Sequence, residues 1–269
     1  WFRKKGFRTC ILKGQGNALM YPNPYSRTPG DIDIWVEGGD KRVISFVRSI
    51  SPHEKACYHH IEFPSYKGVE VEVHYRPSFL LCFWHNRKLQ KYYERVKEEQ
   101  FSHRVMLGEQ GEIAIPTVEF NLIFQLTHIF SHLMNEGIGL RQLLDYYYVL
   151  ISADLSLIRD RVQKELKKLG LWKFAGAIMY IMQEVFGMPA SRLIVPPNEK
   201  YGRFVLNEVL EAGNFGKHDA RNRFGRSKLG HNLQRVYRDM RLVRYFPAEA
   251  MSEPFFRVWH FFWRLKHRR

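Results

Sequence analysis

Cysteine is scarce in this chain: Cys10, Cys57 and Cys82 are its three, scattered and without a Cys-x-x-Cys pair. That spacing excludes a zinc knuckle local in sequence and suits a reducing compartment, so the cytoplasm is the expected location. Long apolar runs are lacking too. Even the stretch from Ile113 to Phe130 is broken by Pro116, Glu119, Asn121, Gln125 and His128, well short of the ~18 uninterrupted apolar residues of a membrane span. Low-complexity tracts are absent, and 45% hydrophobic with 15% aromatic residues argues for a folded chain rather than a disordered one. Acidic residues are the minority charge, 27 against 42 Lys and Arg, which leaves a formal +15. Such an excess attracts polyanions, among them nucleoside triphosphates, RNA, anionic membrane surfaces and phosphorylated saccharides, without choosing one. The chain starts at Trp1, and no targeting segment is read from it.

What the sequence does have is Gly30-Asp31-Ile32-Asp33-Ile34-Trp35-Val36, two carboxylates two residues apart in a short run rich in β-branched residues. This reads as a strand, on which residues i and i+2 share a face, so Asp31 and Asp33 project together. Two such charges repel unless a cation neutralises them, and hard oxygen ligands suit Mg²⁺. The plainer reading is a solvated strand end.

Upstream, Thr9 to Leu12 reads as a strand running into Lys13-Gly14-Gln15-Gly16 and a brief helical segment, Asn17 to Tyr21. A glycine turn between a strand and a helix can cradle phosphate on backbone N–H groups, or be a tight turn and nothing more. A loop stiffened by three prolines carries Arg27 toward the acidic strand. Beyond it, Gly38-Gly39-Asp40 reads as a loop with an N-cap before a helix from Lys41 to Ile50. Ala56 to Phe63 and Val69 to Tyr75 form a hairpin with a longer loop at Pro64 to Gly68. The second strand alternates strictly, with its valines on one face and Glu70, Glu72 and His74 on the other. A third carboxylate beside a paired-aspartate strand completes a two-metal ligand set.

Leu12-Lys13-Gly14, Arg27, Gly30-Asp31-Ile32-Asp33 and Glu72-Val73-His74-Tyr75, in that order, resemble the nucleotidyltransferase superfamily related to DNA polymerase β, and within it a bacterial subgroup of uncharacterised nucleotidyltransferases. The resemblance implies an α+β fold: a small mixed β-sheet nucleotidyltransferase domain with helices over residues 1–116, then an α-helical domain over 117–269 that completes the cleft. It also implies transfer of a nucleoside monophosphate from an NTP such as ATP to a hydroxyl, with Mg²⁺ or Mn²⁺ as cofactor. Asp31, Asp33 and Glu72 match the catalytic metal ligands, and Lys13, Gly14, Gln15 and Gly16 match the phosphate turn, with Arg27 adding positive charge. Gln15 stands where the superfamily commonly has serine. Glu replaces a frequent Asp at position 72 and leaves Glu70 as a competitor. His74 faces the same side as Glu72, either supporting it or making an ordinary hydrogen bond.

A helix from His85 to Gln100 and a strand from Glu112 to Ile115 lead to the boundary at Pro116. Helical periodicity then runs through Val118–Asn135, Leu140–Ile151, Leu155–Leu169, Trp172–Phe186, Tyr201–Ala212 and Leu229–Tyr245. His128 and His132 are an i, i+4 pair whose spacing can bind metal, with packing or polar contacts at the interdomain cleft preferred; Arg141 and Asp145 are another, which the resemblance brings toward the cleft and whose plainer reading is a surface salt bridge. Between Lys217 and Arg244 nine basic residues stand against two Asp, and the tail from Pro254 mixes aromatics with a basic end at Arg264, Lys266, Arg268 and Arg269. A membrane-surface helix has this composition; docking on its own domain is preferred.

The expected partners are thus a nucleoside triphosphate and an acceptor, small or saccharide-like in preference to nucleic acid, because no RNA-binding module or aromatic stacking platform accompanies the arginines. Two other classes stay open. One is an RNA-binding module with a degenerate site. The other is a metal-dependent phosphoester hydrolase, which needs His59, His60, His128 or His132 within ligand distance of the aspartates.

Overall fold

The computed structural model describes residues 1–213, 219, 221, 224 and 227–267. It is a mixed α+β region followed by a largely helical one, and it divides into two compact units. The first comprises Trp1–Phe79, Gln90–Asn121 and the chain from Val258 on; the second comprises Leu80–Leu89 and Leu122–Arg257.

Four strands make the sheet of the first unit: β1 (Thr9–Ile11), β2 (Ile32–Val36), β3 (His60–Tyr66) and β4 (Val69–His74). Their order is β1-β2-β4-β3, with β2 and β4 parallel and both outer pairs antiparallel. Strand alternation sorts the side chains. Ile32, Ile34 and Val36 with Val71 and Val73 face a core shared with Val43, Ile44 and Val47 of helix α2 (Gly39–Ile50). Burying each such side chain fully contributes about 1.5–3 kcal/mol. The opposite face carries Trp35, whose ring meets Phe101 at 4.7 Å and stacks on Phe120 at 5.8 Å. Asp33, Glu72 and His74 share that second face.

Local details depart from the sequence reading. The β3–β4 hairpin closes through Lys67 and Gly68, both at positive φ (52° and 80°), so a two-residue turn replaces the longer loop. The register shifts between Phe63 and Tyr66, where Pro64 cannot donate to the ladder. Helix α2 begins one residue before Asp40: Gly38, at φ 133°, is its N-cap, and Asp40 instead accepts the Lys41 N–H at 2.8 Å. The short α1 spans Gln15–Ala18, and α3 spans Phe83–Ser102, longer at both ends than expected. A small ribbon of β5 (Arg104–Met106) and β6 (Glu112–Ala114) precedes the helical region.

Helices α4 (Val118–Asn135), α5 (Leu140–Ser152), α6 (Leu155–Lys168), α7 (Trp172–Glu184), α8 (Glu199–Ala212), α9 (Lys228–Leu242) and α10 (Pro247–Lys266) follow. In the second unit, α7 and α8 approach closely at Gly202, where an added Cβ would lie 2.3 Å from the Tyr180 ring. The buried Glu249 accepts the N–H groups of Leu81 and Cys82 at 2.6 and 2.9 Å, which caps the start of α3. The last turns of α10 belong to the first unit, where Trp259 meets the Tyr58 ring at 5.2 Å. No helix among the described residues is long and apolar enough to cross a membrane.

Candidate functional site

Parallel pairing of β2 with β4 sets Asp33 level with Glu72, and strand alternation turns both to one face. Asp31 lies immediately before β2. Each of Asp31, Asp33 and Glu72 offers a carboxylate oxygen, and the three oxygens lie within 4.8 Å of one another. Glu70 stays exposed farther along β4 and is outside this group.

Asp33 is 2% exposed. Its Oδ1 is held by the Lys13 ammonium at 2.9 Å and by His74 Nε2 at 3.0 Å, while His74 also lies 3.2 Å from Glu72 Oε2. Asp33 Oδ2 is buried and has no hydrogen-bond partner. Burial alone would raise the Asp33 carboxyl, but the Lys13 charge and the His74 hydrogen bond outweigh it and hold the group far below the usual range. Asp31 is pushed up, by burial first and then by the Asp33 charge. Burial disfavours ionised Glu72 as well, yet His74 and His60 bring it down. Against its own burial, His74 is raised to about 9 by Asp33 and Glu72. Lys13 and a protonated His74 thus oppose three carboxylates, two positive charges against three negative.

This donor set fits a hard divalent cation. All three groups offer oxygen, one negative charge remains uncompensated, and a desolvated oxygen of Asp33 lacks a partner. Three carboxylates this close, with Asp33 buried and the other two half-buried, favour such a counter-charge.

The glycine turn sits beside the carboxylates. Leu12 N–H donates to Asp33 O at 3.0 Å, Gly14 has φ 56°, and a Cβ on Gly16 would come within 3.1 Å of Ile115 Cγ2. Only glycine fits that close packing at Gly16 without displacing Ile115. Gln15 is exposed. Arg27 follows a 3₁₀ turn, Pro24–Ser26, and donates from Nη1 to Thr28 O at 3.3 Å. In the second unit, His128 and His132 meet through their Nε2 atoms at 3.1 Å, and His132 lies 3.5 Å from Glu136. Arg141 and Asp145 stand on α5, Asp145 buried.

Sequence reasoning missed how far the imidazoles extend. His59 Nε2 and His60 Nδ1 are 3.0 Å apart, and His60 Nδ1 is 3.4 Å from Glu72 Oε2. Of the histidines named for a hydrolase, His60 meets Glu72 rather than an aspartate, and the imidazole on Asp33 is that of His74. The signal was the adjacent pair His59-His60 just before a strand that pairs with β4.

The arginines of α9 are partly engaged within their own unit. Arg241 pairs with the buried Glu208 at 3.2 Å, Arg221 pairs with the same carboxylate at 2.8 Å, and Arg238 donates to Asn135 O. Lys217, Arg223, Arg226, Arg268 and Arg269 lie outside the described residues.

A mixed sheet that gathers two aspartates from one strand region and a glutamate from its parallel neighbour has the fold of the nucleotidyltransferase superfamily related to DNA polymerase β. The chain belongs to the family described as uncharacterised nucleotidyltransferase, whose family model matches residues 1–187. No curated protein and no solved structure matches it.

Proposed function

We propose that this nucleotidyltransferase moves a nucleoside monophosphate from an NTP, ATP being the first to test, onto a hydroxyl of a small or saccharide-like acceptor. One observation carries the reading: Asp31, Asp33 and Glu72 converge while a buried oxygen of Asp33 lacks a partner. Those three carboxylates would hold Mg²⁺ or Mn²⁺, which supplies positive charge against the phosphates. In the transfer, the acceptor oxygen bonds to the α-phosphorus, the α–β anhydride bond breaks, and pyrophosphate leaves. Glu72 takes the hydroxyl proton. Lys13 fixes Asp33 at 2.9 Å and adds its charge to the triphosphate site, while the Gly14–Gly16 turn and Arg27 receive the phosphates. His74 orients Asp33 and Glu72 together.

The preference for a small acceptor draws support from α9, since Arg241 and Arg238 are already used in internal contacts. The resemblance in motifs to the bacterial subgroup and the three scattered cysteines favour a bacterial, cytoplasmic enzyme. Incubation with labelled triphosphates and Mg²⁺ or Mn²⁺, followed by mass spectrometry of whatever acquires label, tests the reading. Label that transfers equally well in Asp31→Asn and Asp33→Asn chains would remove it.

A further inference from the structure

We propose that Cys57, His59 and His60 form a second metal site, selective for a borderline divalent ion of the Zn²⁺ class and distinct from the carboxylate set. One ligand atom from each of the three residues lies within 4.8 Å of the others. His59 lies between the other two, its Nδ1 3.4 Å from Cys57 Sγ and its Nε2 3.0 Å from His60 Nδ1, and a shared ion takes only one of these two nitrogens. Sulfur and imidazole nitrogen select Zn²⁺ or Co²⁺ over Mg²⁺, the inverse of the all-oxygen preference next door.

The segment that carries these ligands is held in place along its backbone. Cys57 N–H donates to His60 O at 2.9 Å, and Tyr58 N–H donates to His260 Nε2 at 3.1 Å. Arg76 Nη1 donates to Tyr58 O at 2.8 Å, and the N–H groups of Tyr75 and Arg76 both donate to His59 O. The Tyr75 hydroxyl reaches Cys57 O. Every residue from Cys57 to His60 is therefore tied to β4, to the residues just after it or to α10, which is the preorganisation a ligand loop requires. By contrast, the grouping of Cys82, His85 and Glu249 has a structural explanation, because Glu249 is already bonded to two backbone N–H groups and to His85.

Three protein ligands leave a coordination position open. Metal binding releases the Cys57 thiol proton to solvent. His60 also touches Glu72, so occupancy of this site changes the environment of the carboxylate set without using any of its members. These three ligands are available to an ion whether or not the chain transfers nucleotides.

The test is a Co²⁺ titration of the full chain in excess Mg²⁺, followed by the thiolate-to-cobalt charge-transfer band. One equivalent should develop the band, and added Zn²⁺ should displace it. Cys57→Ser should abolish the band, His59→Ala should weaken Co²⁺ affinity at least about tenfold, and Asp31→Asn should leave it intact. Should Cys57→Ser fail to fold by circular dichroism, His59→Ala and Cys82→Ser supply the same discrimination. A folded wild-type chain that shows no band overturns the proposal in favour of a hydrogen-bonded Cys-His-His chain only. A band that disappears in Cys82→Ser, or in Asp31→Asn, overturns it as well.

Discussion

Asp33 and Glu72 occupy the same register position on two parallel strands, and His74 Nε2 bridges their carboxylates at 3.0 and 3.2 Å. Backbone pairing sets how far apart these two carboxylates stand, and the His74 imidazole then holds both in place from one side.

Asp31→Asn and Asp33→Asn should both abolish metal-dependent triphosphate binding, yet differ in stability. Loss of the Asp33 charge leaves Lys13 and His74 buried with less compensation, so urea unfolding of Asp33→Asn should show a loss of about 3 kcal/mol. Asp31 is a repelled carboxyl, and its neutralisation should leave the unfolding midpoint unchanged or raised.

Replacing His74 by Gln keeps one hydrogen bond and gives up the bridge. Metal affinity, measured by Mn²⁺ titration, should fall about 10–100-fold, with the circular dichroism spectrum preserved.

Stability should fall with acidity through His260, whose Nε2 accepts the Tyr58 N–H at 3.1 Å and which burial and the Arg264 charge lower from 6.5 to about 4. Between those values the unfolded chain binds this proton and the folded chain does not, so its contribution is present above pH 6.5 and is lost as pH falls toward 4. Thermal midpoints of His260→Gln across that window should vary less steeply than those of wild type.

Changing Arg238 and Arg241 to Ala should cost stability before it costs any ligand. Glu208 would keep Arg221 alone, and Asn135 O would lose a donor. Binding to single-stranded RNA should be weak in wild type, with few lost phosphate contacts at a slope of ~0.7 each in log K against log salt. Tight, salt-sensitive RNA binding abolished by these changes together with Arg235→Ala would reverse the choice of acceptor.

Much of this organisation is written in residue alternation. Ile32, Ile34 and Val36 against Asp33 and Trp35, and Val71 and Val73 against Glu72 and His74, assign faces before any coordinates are known. The helices from Val118 to Ala212 were legible from apolar periodicity to within a few residues at their ends. What alternation does not encode is partner choice across the sheet: the parallel pairing of β2 with β4, which aligns Asp33 with Glu72, joins segments far apart in sequence. Lys13 was legible as a cation near phosphate, whereas its 2.9 Å contact with Asp33 depends on where Leu12 hydrogen-bonds. The hairpin was misjudged because Lys67 adopts a positive φ that its side chain does not announce.

The pairing of β2 with β4 also makes the carboxylate set a reporter of folding. A slip of one residue in β4 would turn Glu72 into the valine core, and closing the roughly forty-residue loop from Asp33 to Glu72 is an entropic cost met only when the sheet forms. The unfolded chain consequently presents no comparable triad. A cation bound there favours the native state by RT ln(1 + [L]/Kd), about 2.7 kcal/mol at one hundred times Kd. Melting temperature against Mg²⁺ or Mn²⁺ concentration then yields an affinity for each ion with no substrate in hand, so the ion preference of this enzyme is measurable before its acceptor is known.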